Sequence, residues 1–340
     1  MEIADITSLE ELTELLTILP EPHTESGMIA GLHEEKLTKP LGALGRLESI
    51  IVWLAHWQGC YPPKIQNPSC NIFAGNHGVV AQGVSAYPAE VTAQMVQNFE
   101  AGGAAINQMC AYADVSLQVI PIRLEHPTRN ITEGPAMMDS EFIAAFKIGA
   151  LSVKADTDLL CVGEMGIGNT TTAAAISNAL FGGKAEDWTG PGTGVDGNVL
   201  DSKVKSVAIA VEKNICHKKN ALEIAVCLGG RELSAIAGAV ISARKNRIPV
   251  LFDGFVATAA LAPFEIAAPG SLDHCMAAHL SAEPAHGKLL KELNKKPILD
   301  LGMRLGEGSG AVLAVPILRQ AVLCHTGMAT FVDAGVSEKI

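Results

Sequence analysis

Two glutamates flanked by glycines are the residues of this chain best suited to chemistry. Glu164 lies in Gly163-Glu-Met-Gly-Ile-Gly-Asn-Thr-Thr171, where an apolar run breaks into a glycine turn and then opens a helix. Glu307 stands between Gly306 and Gly308. Because glycine lacks a Cβ and allows positive φ, ligand and backbone can approach closely there, and a carboxylate can be held in a fixed direction towards a bound molecule. The alternative is that both are first-turn helix glutamates stabilised by the helix dipole.

The segment that follows Glu164 predicts a phosphate site. The amino end of a helix presents unpaired N–H groups and about half a positive charge. No Gly-Lys-[Ser/Thr] follows the glycines, and their order is not that of the dinucleotide fingerprint, so a monophosphate is the favoured ligand. The residues expected to hold it are Gly166, Gly168, Asn169, Thr170 and Thr171.

A second glycine-rich loop, Thr189-Gly-Pro-Gly-Thr-Gly-Val-Asp196, contains Gly192 and is followed by Lys203 on a predicted helix. A lysine in this place can add the positive charge that a phosphate needs. A solvated surface lysine is the equally weighted alternative.

Three further polar residues are candidates with open alternatives. His77 could be a ligand or a general acid, but a lone histidine without a metal-spaced companion favours a structural role and argues against a metal. Asp253, at the end of Pro249-Val-Leu-Phe-Asp, could bind a ligand hydroxyl or amide, or cap the following helix. Ser281, in a short polar loop, is similarly ambiguous.

Alternating strands and helices must position these residues. Short apolar segments end in glycine or an acid, and most precede an Ala-rich helical stretch. This order predicts an α/β fold, with a Rossmann-like, mostly parallel sheet, helices on both faces and ligands at the carboxyl ends of the strands. The predicted strand segments are 70–80, 115–122, 158–163, 226–230 and 249–254.

Both ends of the chain are predicted to be helical. Ser8 caps a helix that begins at Leu9, residues 44–57 form an amphipathic helix, and Ser309–Gly327 form a long last helix. We expect residues 1–65 and 310–340 to form a small helical domain, and residues 66–309 to form the large α/β catalytic domain.

Composition and charge exclude several kinds of partner. Of the 340 residues, 48% are hydrophobic, only 18% charged and 4% aromatic, which fits buried parallel strands under Ala-rich helices. The formal net charge is −11, and the densest basic clusters are the short runs 217–219, 244–247 and 295–296. This balance argues against nucleic acid or an anionic membrane as partner.

The eight cysteines and the N-terminal sequence favour a location in the cytoplasm. The cysteines are scattered without a Cys-x-x-Cys pair, which predicts reduced packing residues rather than a zinc site or disulfides. The acidic N-terminus lacks the parts of a signal peptide, and no apolar run approaches the roughly 18 residues of a membrane span. We therefore expect a soluble cytoplasmic protein with no metal and no cofactor.

Five motifs in order along nearly the whole chain resemble the nicotinate-nucleotide:dimethylbenzimidazole phosphoribosyltransferases of cobamide lower-ligand synthesis. They are Lys39-Pro-Leu-Gly-Ala-Leu-Gly-Arg-Leu-Glu48, Ala74-Gly-Asn-His-Gly-Val79, Gly163-Glu-Met-Gly-Ile-Gly-Asn-Thr-Thr171, Asp253-Gly-Phe and Met303-Arg-Leu-Gly-Glu-Gly-Ser-Gly-Ala311.

The resemblance implies a dimer with active sites near the subunit interface, and transfer of phosphoribose from nicotinate mononucleotide to an aromatic base with inversion to the α-riboside phosphate. It implies that Glu307 is the catalytic base. It also implies that Glu164 and the loop 166–171 form the wall and phosphate cradle of the nucleotide site, with Lys203 as a companion.

The predicted acceptor pocket departs from the family pattern. Members that use benzimidazole often have small or polar residues where this chain has Tyr87 and Met95, and a leucine where it has Met165. Larger, adaptable side chains, with Leu305 beside them, favour a smaller ring, so we expect a phenol-type acceptor as in the branch that makes phenolic cobamides. Asn76 also replaces an expected aspartate, which weakens any charge-dependent role there.

The sequence is also compatible with two other functions. Alternating strands and glycine loops also suit a nucleotide-binding oxidoreductase. The chain could instead be a partner subunit that keeps the motifs but works only beside a paralogous chain, so a homodimer and a heterodimer are both expected assemblies.

Overall fold

The computed structural model describes residues 2–192, 194–215 and 220–337. Thr193 of the second glycine loop, Cys216 and the basic run 217–219 lie outside the described residues. The predictions that concern them stay predictions.

A five-stranded parallel sheet forms the centre of the molecule, with strand order β2-β1-β3-β4-β5. The chain leaves β1 towards one edge and returns to its other side at β3, so the strand order reverses between β1 and β3, where parallel sheets commonly bind ligands. The predicted α/β fold is confirmed. The strands are β1 (Pro68–Ala74), β2 (Ser116–Pro121), β3 (Leu159–Met165), β4 (Val250–Phe252) and β5 (Cys275–Ala277).

Helices surround the sheet. Short 3-10 helices also occur at Ile3–Asp5, Gly78–Gln82 and Ala185–Asp187. The α-helices are α1 (Leu9–Thr17), α2 (Thr24–Glu34), α3 (Arg46–Gln58), α4 (Glu90–Glu100), α5 (Ala105–Ala113), α6 (Asp139–Leu151), α7 (Asn169–Phe181), α8 (Gly197–Ile215), α9 (Ala221–Leu228), α10 (Arg231–Lys245), α11 (Phe255–Ala267), α12 (His286–Glu292), α13 (Ser309–Gly327) and α14 (Phe331–Ala334).

Side chains of the sheet alternate between two hydrophobic cores. On β3, Leu160 and Val162 enter the first core, while Leu159 and Cys161 enter the second. The period of two is that of a strand covered on both faces. The described strand residues of β1 and β3 are almost all buried, which explains the apolar run at the start of β3 and the mostly apolar sequence of β1, where Ser69 and Asn71 are buried polar residues.

The helical ends of the chain divide between these two cores. Helices α2, α3 and α13 contribute to the second core, together with α5. Helix α1, which Ser8 and Glu11 start with a capping box, packs its apolar stripe into the first core. The proposed division into a small helical and a large α/β domain stays a prediction, with α1 lying on the opposite face of the sheet from α3 and α13.

One strand predicted from sequence is wrong, and one strand was not predicted. Residues 226–228 are the end of α9, and residues 229–230 link it to α10, so the segment 226–230 is not a strand. Asn220 and Glu223 start α9 with a capping box, and its apolar residues are buried on all sides, a pattern that sequence periodicity does not distinguish from a buried strand. The edge strand β5 was missed because its three residues lie in no extended apolar run.

Helix α13 has a longer apolar stretch than expected from sequence, where no apolar run approaches the roughly 18 residues of a membrane span. By length and composition it could cross a membrane, since its 19 residues have a mean hydropathy of 1.2 in the most apolar window. Nearly half of that window is buried inside the protein, against α3, α5 and β3, as in the core helix of a globular domain. Its bounds are those predicted from sequence.

Candidate active site

A cavity of about 510 Å³ opens at the carboxyl ends of β3 and β4. Residues from the β3–α7 loop, the start of α11, the loop after β5 and the segment before α13 meet there. The predicted site residues that line it are Tyr87, Met95, Glu164, Met165, Gly166, Asn169, Thr170, Gly192, Ser281, Leu305 and Glu307.

Backbone conformation holds Glu307 at the cavity wall. Its φ is +63°, in the left-handed region that side chains other than glycine seldom adopt, and both neighbours, Gly306 and Gly308, have positive φ as well. The segment packs closely against β3, because a Cβ added to Gly163 would lie 2.1 Å from the Gly308 nitrogen. Gly163 therefore permits the approach that places Glu307 beside Glu164.

Asp253 fixes the other side of the same segment. Its carboxylate accepts hydrogen bonds from the backbone N–H groups of Gly308 (3.1 Å), Gly310 (2.8 Å) and Ala311 (3.1 Å). Asp253 is buried and does not line the cavity, and it caps α13 rather than the helix that follows it. The hydroxyl-binding role suggested for it from sequence is therefore not supported by its position.

Burial and neighbouring charge perturb the two predicted catalytic carboxyl groups. Burial raises the pKa of Glu307 to about 7, and the negative charge of Asp253 adds to the effect. Burial raises the pKa of Glu164 well above its usual range, helped by the charges of Asp253, Glu232 and Glu307. A hydrogen bond from the Asn169 amide to Glu164 opposes this rise.

Neither glutamate occupies the alternative position considered from sequence. Glu164 belongs to β3, and Glu307 precedes Gly308, the N-cap residue of α13. Two carboxyl groups that favour their acid forms in one cavity are suited to proton transfer near neutral pH.

The other end of the cavity has the features of a phosphate site. Gly168, with a φ of +93°, is the N-cap of α7, and among the described residues no side chain caps that helix. The Lys203 ammonium donates to Thr170 Oγ1 (2.8 Å) and to the Gly190 carbonyl (2.8 Å). Lys203 is 1% exposed, so the solvated-lysine alternative is wrong. Burial lowers the pKa of Lys203 to about 8, which leaves it cationic at neutral pH.

The predicted acceptor side chains line one cavity at two depths. Met95 and Met165 are partly buried and pack on the second core. Tyr87 and Leu305 are about half exposed, at 52% and 54%, and lie at the mouth. The two methionines therefore form a wall and the other two side chains form a rim.

Several predicted residues lie next to the cavity without lining it. Gly168, Thr171, Lys203 and Asp253 do not line the cavity. His77 is buried and pairs with Glu232 at 2.5 Å, which agrees with the structural role favoured for it. The described residues include no group of three or more His, Cys, Asp and Glu side chains suited to a metal ion.

Other lining residues carried no usable signal in the sequence. Gly306 is predicted only as a glycine that flanks Glu307, and no local pattern indicates a role for Arg304 or for Glu283, which follows Ser281 by two residues. Arg304 donates to the Gly192 carbonyl at 2.9 Å and so joins the second glycine loop to the segment before α13. The lining residues not predicted are Val91, Ile167, Gly254, Phe255, Val256, Glu283, Arg304 and Gly306.

Known proteins similar to this chain are phosphoribosyltransferases. A family model described as Phosphoribosyltransferase matches residues 19–336. A nicotinate-nucleotide–dimethylbenzimidazole phosphoribosyltransferase from Brucella canis is 53% identical over 328 residues, covering 96% of this chain and 97% of that protein. The protein of the same name from Brucella anthropi is 52% identical over the same length. The crystal structure of CobT from Thermus thermophilus matches with a TM-score of 0.86 and 41% identity, covering 93% of this chain and 100% of that one.

Proposed function

The chain belongs to the nicotinate-nucleotide–dimethylbenzimidazole phosphoribosyltransferase family and is a pentosyltransferase, and we propose that it transfers phosphoribose from nicotinate mononucleotide to an aromatic base. The product is the α-riboside phosphate that supplies the lower ligand of a cobamide. The observation that carries this proposal is the pairing of Glu307 and Glu164 in one cavity whose opposite end suits a phosphate. Family membership favours this transfer over the oxidoreductase alternative.

The two ends of the cavity accommodate the two substrates. The nucleotide phosphate binds at the amino end of α7, where the cationic Lys203 supports Thr170 from behind. The aromatic acceptor binds between the methionine wall and the rim, next to Glu307. The ribose then lies between them, with its anomeric carbon facing the acceptor.

Transfer proceeds by a single displacement. The acceptor oxygen or nitrogen forms a bond to the anomeric carbon while the bond to the nicotinate nitrogen breaks, and that nitrogen keeps the electron pair. The leaving nitrogen is a pyridinium and departs without a proton, so a general acid is dispensable. The acceptor proton passes to Glu307. A general base works best when its pKa is near the pH of the reaction, and the pKa of Glu307 is about 7. Attack from the opposite face inverts the anomeric centre.

We propose a phenol-type acceptor as the preferred one. Two methionines and a tyrosine restrict the acceptor end of the cavity, and methionine adapts to a small ring. A phenol hydroxyl has a pKa near 10, so its removal demands a base with a raised pKa. Dimethylbenzimidazole, the base in the names of the relatives, is the alternative acceptor.

The assembly is also part of the proposal. The chain works as a dimer, either with a second copy or with a paralogous subunit. If the partner is paralogous, this chain alone has little activity.

The test is nicotinate release by the purified chain alone. We expect release from nicotinate mononucleotide that depends on added phenol, p-cresol or dimethylbenzimidazole, with formation of the matching riboside phosphate. Glu307→Ala should abolish transfer to every acceptor, whereas Glu125→Ala, a change at an exposed loop residue, should not. Turnover by Glu307→Ala within a factor of a few of wild type would remove Glu307 from the role of base. Absence of release by wild type, restored by a paralogous chain, would identify a heteromeric enzyme.

A further inference from the structure

Glu283 is a buried carboxylate that lines the cavity, with the charge of Lys203 near enough to interact with it. It lies in the loop between β5 and α12 and is 6% exposed. Among the described residues, neither of its carboxylate oxygens has a hydrogen-bond partner. The attraction to Lys203 does not supply hydrogen bonds, and leaving both oxygens of a buried carboxylate without donors is costly, so this group calls for an explanation. Its place in the cavity wall indicates a ligand that donates hydrogen bonds.

The carboxylate lies directly beside the phosphate end of the cavity. A Cβ added to Gly190 would be 2.1 Å from Glu283 Oε2, so the carboxylate rests against the Gly190 α-carbon. The Gly190 carbonyl accepts a hydrogen bond from Lys203, which also bonds Thr170. With a nucleotide phosphate at the amino end of α7, as proposed above, Glu283 lies where the attached sugar would be.

The backbone around Glu283 holds it in place. Its own N–H donates to Ser281 Oγ (3.2 Å), and the Ser281 N–H donates to His286 Nδ1 (2.8 Å). Pro284 follows immediately and restricts the chain further. The carboxylate is thus positioned before any ligand arrives, unlike that of Asp253, whose oxygens are occupied by the amino end of α13.

We propose that Glu283 accepts hydrogen bonds from the adjacent 2′- and 3′-hydroxyls of the nucleotide ribose. The assignment rests on the proposed function, because it takes nicotinate mononucleotide as the ligand. The two oxygens of a carboxylate match two vicinal hydroxyls, and hydrogen bonds to an ionised acceptor are stronger than neutral ones. Acidic residues bind ribose hydroxyls in the same manner in dinucleotide sites.

This contact makes the enzyme selective for ribose over 2′-deoxyribose. A buried site built to bind a hydroxyl rejects an analogue that lacks it, because the acceptor is then left unpaired. Hydrogen bonds to charged groups account for a discrimination of about 10- to 150-fold. Glu283 determines nucleotide specificity without taking part in proton transfer.

The experiment compares equilibrium binding of nicotinate mononucleotide and its 2′-deoxyribose analogue by titration calorimetry, without acceptor. We expect wild type to bind the ribose form at least about tenfold more tightly, and Glu283→Ala to lose that preference by weakening only the ribose form. Glu292→Ala, a change at an exposed glutamate at the end of α12, should keep the full preference. Glu283→Gln, which preserves the side-chain shape, gives the same comparison if the alanine variant does not fold.

The outcomes separate this inference from the proposed function. Equal weakening of both nucleotides by Glu283→Ala and by Glu283→Gln would overturn the inference and make Glu283 a structural residue. Loss of ribose preference in a chain that releases no nicotinate with any acceptor would support the inference and contradict transferase activity by the chain alone. Binding of neither nucleotide to wild type would overturn both.

Discussion

Replacing Glu307 by glutamine should stabilise the protein at alkaline pH and leave its stability unchanged at acid pH. The folded-state pKa of Glu307 is raised, from 4.5 to about 7. A carboxyl group with a raised folded-state pKa contributes stability that is present below its unfolded pKa and is lost as the pH rises through the folded one. The ionised carboxylate therefore lowers the free energy of unfolding above neutral pH.

The size of the effect follows from the same pKa. The rise from 4.5 to about 7 corresponds to at most about 3.5 kcal/mol, since one pKa unit is worth about 1.4 kcal/mol. Solvent in the open cavity screens part of the interaction, so we expect Glu307→Gln to raise the free energy of unfolding by about 1–3 kcal/mol at about pH 8. At about pH 4, below the unfolded-state pKa of 4.5, the carboxyl group is mostly protonated in both states and neutral like glutamine, so the difference should be close to zero.

Urea unfolding of both proteins at the two pH values and one protein concentration measures this difference. Glu125→Gln, at an exposed glutamate in the loop after β2, is the matched control and should change stability by less than about 0.5 kcal/mol at either pH. The same change in unfolding free energy for Glu307→Gln at both pH values would refute the reasoning.

Three further predictions concern the cavity. Tyr87→Ser with Met95→Gln should depress phenol use more than benzimidazole use in nicotinate-release assays, and equal losses would refute the size argument. Gly163→Ala should abolish transfer, because its Cβ would meet the Gly308 backbone, whereas Gly134→Ala, with open space around it, should be nearly neutral; an active Gly163→Ala would contradict this packing. Lys203→Met should raise KM for the nucleotide by about 10- to 100-fold through loss of a charged hydrogen-bond donor, and an unchanged KM would exclude Lys203 from the phosphate site.

The sheet could be predicted from sequence where strands are long and apolar. β1 and β3 are buried on both faces, so their sequences are mostly hydrophobic and end in glycine loops, although β1 also buries the polar Ser69 and Asn71. The segment 226–230 has the same composition but is helical, because the capping box at Asn220 starts a helix whose whole circumference is buried. A short apolar run does not contain the information that separates these two cases.

The sequence indicates which loops contribute residues to the cavity, but not the contacts between residues far apart in the chain. Glycine and charge patterns indicated Glu164, Glu307 and the loop that begins α7, which line one cavity, because those signals lie within a few residues of one another. The capping of α13 by Asp253 joins residues more than fifty positions apart, and no local pattern indicates it. The Glu283 carboxylate stands out only once its burial and its lack of hydrogen-bond donors among the described residues are known, and both depend on the fold.

The pH dependence of transfer tests the role of Glu307 most directly. At saturating nicotinate mononucleotide, kcat/KM for the neutral form of the acceptor should fall about tenfold per pH unit below an apparent pKa of about 7, because protonated Glu307 cannot accept the acceptor proton. The residual activity of Glu307→Gln should lack this acid limb. A wild-type profile that stays flat from about pH 5.5 to about pH 8 would contradict the account.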